Sequence, residues 1–293
     1  MGKQESVPSG PASHPAPQEE KTFFGIIVHS FFVIPFLIAV SAVILFAGMH
    51  WLTREQLTAS DYLEQVKVGG LTKRWQSAFE LSKILANPKL VPTEKSFSDQ
   101  MVATFEGAKN DDPRVRQYLA LAMAKTGRAE FLKPLVDGLA SAKDETLRTL
   151  IYALGMLRDK RAVSTLLQYL DDKDARVRSM TVAALGTIGD TNIAPALRKM
   201  LQDPEPNVQW GAAIALANFN DASGKNILKE LLNRNYLSQY REVDPQEQTQ
   251  IVLQAITASS KLNEPELNEK IRALTTTDAS MNVRSTALAA LQK

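Results

Sequence analysis

Residues 175–190 read ARVRSMTVAALGTIGD. Arg178 is followed seven positions later by Leu185, which is two helical turns, so the pair marks the ends of one apolar stripe on an amphipathic helix. Gly189 is placed as a left-handed stop for that helix. The same text returns along the chain: RVRQYLALAMAKTG from Arg114, NVQWGAAIALANFND from Asn207 and NVRSTALAALQ from Asn282. Arg116, Arg148, Arg178 and Gln209 lie 32, 30 and 31 residues apart, and Asp159, Asp190 and Asp221 are separated by 31 and 31. A fixed period of that size signals stacked supersecondary units, each unable to bury its apolar face alone.

The stripe repeats as Arg74 with Leu81, Arg116 with Met123, Gln209 with Leu216 and Arg284 with Leu291. A shortened copy places Leu154 six after Arg148, and a weaker one places Ile256 seven after Thr249, which makes seven units. A second amphipathic segment precedes each, such as RAVSTLLQYL from Arg161 and NIAPALRKML from Asn192. The unit is therefore a helical hairpin. Asp112-Pro113 and Asp203-Pro204 read as N-caps beside a proline tolerated in the first helical turn, and Gly127 reads as a stop like Gly189.

The units VRxxAAxALGxxGD resemble HEAT repeats, especially the short type also found in phycobilisome-lyase-like proteins, over residues 55–293. The resemblance implies an all-α, right-handed α-solenoid of about seven hairpins whose Val-Arg helices line the concave side. It also implies turn-stabilising bonds from a ladder of Arg116, Arg148, Asp159, Arg178 and Asp190. Departures are the insertions 86–95 (ANPKLVPTEK) and 233–246 (NRNYLSQYREVDPQ), and Gln209 in place of arginine.

Ahead of the repeats, residues 23–49 contain no Asp, Glu, Lys or Arg. The run exceeds the ~20 residues needed to cross a bilayer and is too long for the ~7–15-residue core of a signal peptide. It is read as one transmembrane helix contacting the lipid bilayer. Trp51 and Arg54 stand as interfacial anchors, and His29, Ser30 and Pro35 offer polar or bending features inside the span. Residues 1–22 lack apolar periodicity and read as a disordered tail. MGKQES fits the myristoylation pattern through Gly2 and Ser6, although chance explains it better. The expected address is a plasma (inner) membrane, single-pass; Lys3 and Lys21 on one flank against Arg54 and Lys67 on the other leave the side open.

The 293-residue chain carries 34 basic and 32 acidic side chains, and this balance gives no electrostatic reason to expect nucleic acid. Without cysteine, and with His14, His29 and His50 all at or before the membrane boundary, the repeats lack the usual nucleophiles, general acid/bases and soft-metal ligands. Carboxylates at Asp111-Asp112, Asp171-Asp172 and Asp174 read as helix caps. Gly69-Gly70 is an interhelical turn without the Lys-Ser/Thr of a phosphate loop. No enzyme activity, cofactor, metal or small-molecule substrate is expected.

Registering the Val-Arg helices by their arginines puts Phe79, Leu121 and Tyr152 at equivalent outward-leaning sites, Trp75 and Trp210 at a second, and Tyr118 beside them. These residues are either a partner surface on the concave face or inter-repeat core. Arg234, Tyr236, Tyr240 and Arg241 of the second insertion form a further candidate contact, because irregular loops in repeat arrays are often functional. The resulting expectation is a membrane-anchored scaffold for a partner protein, possibly in a membrane complex. The alternatives are an accessory subunit of a transporter or respiratory complex and a phycobilisome-lyase-like enzyme.

Overall fold

A computed structural model describes residues 29–52 and 57–292, which fall into an apolar N-terminal unit and a second unit beginning at Leu57. The tail 1–22 with its Gly2 pattern, residues 23–28 of the expected span and the Arg54 anchor lie outside the described residues.

In the first unit, a π-helical turn at His29–Val33 leads into α1, Ile34–Leu52. Pro35 lacks the N–H and crowds the carbonyl four residues back, and the turn before it has the wider π geometry rather than the α-helical one. Phe31–Met49 has a mean hydropathy of 2.6 and none of its residues is buried. At 1.5 Å per residue, such a helix is about 28 Å long, close to the thickness of a hydrocarbon core.

In the second unit all the regular elements among the described residues are helices, and they form seven hairpins. They pair α2 (Ala59–Val68) with α3 (Leu71–Ile84), α4 (Lys95–Gly107) with α5 (Pro113–Lys125), and α6 (Leu132–Leu139) with α7 (Asp144–Leu157). Next come α8 (Val163–Leu166) with α9 (Ala175–Ile188), and α10 (Ala194–Met200) with α11 (Pro206–Asn218). In the sixth, α12 (Lys225–Leu231) is followed by a short α13 (Arg234–Leu237) before α14 (Pro245–Leu262); α15 (Pro265–Thr277) and α16 (Met281–Ala290) close the array.

Local chemistry sets these boundaries. Thr58 opens α2 with a capping box: its hydroxyl accepts from the Asp61 N–H, and the Asp61 carboxylate accepts from the Thr58 N–H at 2.8 Å. Asp112 and Asp174 accept the backbone N–H groups of Arg114 and Arg176 at the starts of α5 and α9. Gly127 and Gly189 take φ of +67° and +79° beyond α5 and α9, as the left-handed stop requires. Asp203 is not the N-cap expected from its neighbouring proline: α11 starts later, at Pro206 with Glu205 as cap, which frees the Asp203 carboxylate for another partner.

Every second helix packs on the next, so α3, α5, α7, α9, α11, α14 and α16 form one row. The far ends of their stripes, Leu81, Met123, Leu154, Leu185, Leu216 and Ile256, are fully buried, and Leu291 is partly so. The row is tight where small residues meet. A Cβ on Gly155 would lie 2.8 Å from Ala184 Cα, and one on Gly186 would lie 2.8 Å from Ala215 Cβ. The first hairpin belongs to the array, since Ala59, Leu63 and Val66 enter the common core.

Candidate functional site

In the first four hairpins the arginine of the second helix, Arg74, Arg116, Arg148 or Arg178, sits near the helix N-terminus and reaches the turn of the following hairpin. Arg178 grips Asp203 with two bonds of 2.7 Å, and its third nitrogen donates to the Asp172 carbonyl of its own turn at 2.9 Å. Arg74 meets Asp111 at 2.6 Å, and Arg148 lies 3.7 Å from Asp174 while also contacting Glu145. The charge-assisted bonds from Arg178 hold the Asp203 carboxyl below its ordinary pKa despite the opposing effect of burial. Hydrogen bonds from Arg176 bring Asp174 to about 2.

The turn-stabilising bonds implied for Arg116, Arg148, Asp159, Arg178 and Asp190 divide into two series. Asp159 accepts from the backbone and side chain of Arg161, and Asp190 from Asn192 at 3.2 and 2.9 Å. Both cap the short 3-10 turns that open the next hairpin. They stabilise turns, but form a separate series from the arginines.

Gln209 and Arg284 reach only carbonyls of their own turns, donating to Asp203 at 2.6 Å and to Asp278 at 2.7 Å, and two further rungs depart in other ways. Arg116 meets Ser141 where its neighbours meet a carboxylate, donating to Oγ at 3.1 Å and to the Gly138 carbonyl at 3.3 Å. The residue is only 6% exposed and lies over the Phe105 ring, and burial lowers its pKa. In the sixth repeat Thr249 occupies the arginine position. The missing guanidinium comes from Arg234 in the insertion, which donates to Thr249 Oγ1 at 3.2 Å and to Asp278 at 2.6 and 2.9 Å. Burial pushes the Asp278 carboxyl up, but its bonds from Arg234 and the Ser280 N–H leave it lowered overall.

The same insertion changes the reading of Trp210. Expected on the surface beside Trp75, it is 4% exposed and belongs to a buried cluster, with its indole N–H 3.3 Å from the Tyr236 hydroxyl. Tyr240 stands edge-on to it at 4.9 Å and donates to Tyr236 at 3.0 Å. Burial, followed by the Tyr240 bond, raises Tyr236 to about 12. Among the four candidate insertion contacts, Arg234, Tyr236 and Tyr240 thus hold the array together, and Arg241 is exposed.

The remaining candidates lie on the outward face of the second-helix row. Phe79 and Tyr152 are exposed, the latter at 48%, and Leu121 is half-buried between them in the register. Phe79 contacts Tyr118 edge-on at 5.2 Å, and Arg114 covers half-buried Trp75 at 4.2 Å. The equivalent positions in α9, α11 and α14 are Ala183, Ile214 and Gln254. These smaller side chains help line a groove of about 760 Å³ with Thr187, Thr257 and Lys261. The Lys261 ammonium bonds to Asn218 Oδ1 at 2.8 Å. This small-residue groove was not anticipated from the sequence, although the register that aligns Phe79 with Tyr152 also identifies it. The face combines aromatic surface at one end with a channel at the other, an arrangement suited to binding another chain.

The HEAT-repeat family profile matches residues 102–179 and 163–243. No curated protein matches the chain. Among solved structures, the complex of CpcE and CpcF of phycocyanin lyase from Nostoc sp. PCC7120 is similar with a TM-score of 0.55 at 18% identity, covering 82% of this chain and 96% of that one. A computationally designed armadillo repeat protein for modular peptide recognition gives a TM-score of 0.38 at 17% identity, over 79% and 97% of the two chains. Human deoxyhypusine hydroxylase in complex with glycerol gives 0.34 at 15% identity, over 80% and 83%. The likeness to the first is one of fold.

Proposed function

We propose that this chain, whose residues 102–179 and 163–243 match the HEAT-repeat profile, is a membrane-anchored adaptor holding a partner protein on the outward face of its second helices. The observation that carries this reading is the continuous row of second helices, with exposed Phe79 and Tyr152 at one end and the 760 Å³ groove at the other. An apolar helix of membrane-spanning length precedes the array. Confining the solenoid to a bilayer would raise its effective concentration toward any neighbouring membrane protein. The chemistry available supports binding over turnover: residues 57–293 contain neither His nor Cys. The accessory-subunit reading is the narrower form of the same proposal.

The test is co-purification in mild detergent followed by mass spectrometry, comparing the natural chain with Phe79→Ala and Tyr152→Ala. Both side chains are exposed, so the array should keep its thermal midpoint. A central interface anchor is worth about 2 kcal/mol or more, roughly thirtyfold in affinity, so the stoichiometric partner should be lost from the double variant. An unchanged partner list from a folded double variant refutes use of this face. Exchanging residues 23–49 for an unrelated apolar helix separates a simple tether, which keeps the partner, from an intramembrane contact, which loses it.

A further inference from the structure

The first hairpin ends in a turn that the solenoid leaves uncovered. Between α2 and α3, Gly69 and Gly70 are extended, and Val68 and Leu71 on either side are 73% and 74% exposed. With Met281 at the other end of the array, they are the most exposed large apolar side chains described in this unit. Lys67 and Lys73 flank them. Lys67 shares an exposed contact with Glu64 at 2.7 Å, a pairing too weak in water to neutralise it for other partners. No carboxylate occurs from Gln65 to Phe79; the third cation there, Arg74, is taken by Asp111 and the Val66 carbonyl.

Two apolar side chains at a tip bracketed by ammonium groups match the layers of a bilayer surface. Acyl chains accept the former, and anionic phosphates attract the latter. Sequence distance favours this partner. Only residues 53–56 separate the end of α1 from Leu57, and the chain can extend at most about 3.3–3.6 Å per residue. The ten residues of α2 add about 15 Å. We propose that the 67–73 turn docks on an anionic phospholipid surface, giving the solenoid a second, shallow attachment to the membrane. This rests on the reading that α1 spans that membrane.

Because the natural chain has no cysteine, single labels can be placed cleanly. The full chain would be put in nanodiscs of phosphatidylcholine with or without phosphatidylglycerol, carrying an environment-sensitive fluorophore at Ile38→Cys, Val68→Cys, Leu71→Cys or Met281→Cys. Nitroxide-labelled lipids serve as quenchers. The label at 38 should be quenched in both compositions. Labels at 68 and 71 should shift to the blue and be quenched several-fold only with phosphatidylglycerol, an effect that Lys67→Glu with Lys73→Glu abolishes. The label at 281 should stay unquenched. If 68 and 71 behave like 281 while 38 is quenched, the docking proposal is overturned and the anchor reading stands. If 68 and 71 are quenched equally without phosphatidylglycerol, the charge recognition is overturned. An unquenched label at 38 removes the anchor reading and this proposal with it.

Discussion

Arg234→Ala should loosen the last hairpin far more than its position in an insertion would suggest. Asp278 is only 1% exposed at its side chain, and Arg234 supplies two of its hydrogen bonds across 44 residues of sequence. Removing one partner of a buried ion pair typically costs about 3–5 kcal/mol. Here Arg234 is partly exposed and the Ser280 N–H still donates to Asp278 at 2.8 Å, so the lower end, about 3 kcal/mol, is expected. In a repeat array the loss falls on the local interface. Amide hydrogen exchange in α16 should therefore accelerate by roughly a hundredfold, with α3 and α5 unchanged. Asp278→Asn in the same chain should recover much of the loss by removing the stranded charge. Thr249→Arg should recover part of it by supplying the guanidinium from the helix that lacks one. A change in α16 of less than about fivefold in Arg234→Ala, equivalent to ~1 kcal/mol, would refute the argument that this residue completes the ladder.

Ser141→Asp should give Arg116 the carboxylate found at other rungs and raise stability by about 1–2 kcal/mol, read as a higher urea midpoint; a lower midpoint contradicts it. Gly155→Ala should cost about 1–3 kcal/mol because the new methyl collides with the Ala184 backbone. Gly107→Ala, with open space around it, should cost nothing measurable in the same assay. Asp174, Asp203 and Asp278 titrate below their unfolded values near 3.8, so their contribution is full above that range and disappears as pH falls through the folded values, about 2 for Asp174. The thermal midpoint should drop between about pH 4 and 2; a main transition near pH 6 would contradict the assignment.

The hairpin array was legible because its signal is local. Arg178 and Leu185 fall on one helix, Gly189 needs a positive φ, and Asp174 caps the residue two places on. The ladder was only half legible. Its members were visible, but the partners of Arg178 and Arg234 lie 25 and 44 residues away, a distance that only stacking of successive hairpins resolves. Asp190 has the period of the arginines, but its partner is Asn192, two residues on in its own turn. Trp210 was misplaced for a related reason. It has the register of half-buried Trp75, and its burial depends on Tyr236 and Tyr240, contributed by a segment that interrupts the period. The insertion therefore reads as an interaction loop in sequence and acts in the fold as a cover for Trp210 and a replacement rung.

Photo-crosslinking in native membranes tests the adaptor claim most directly. A benzophenone amino acid would be placed at Phe79, Tyr152 or Gln254 on the second-helix face, and at exposed Lys133 or Lys199 on first helices. The account predicts one common partner protein crosslinked from the first set and absent from the second. Equal crosslinking from both sets, or a partner captured only through Lys133 and Lys199, would contradict it.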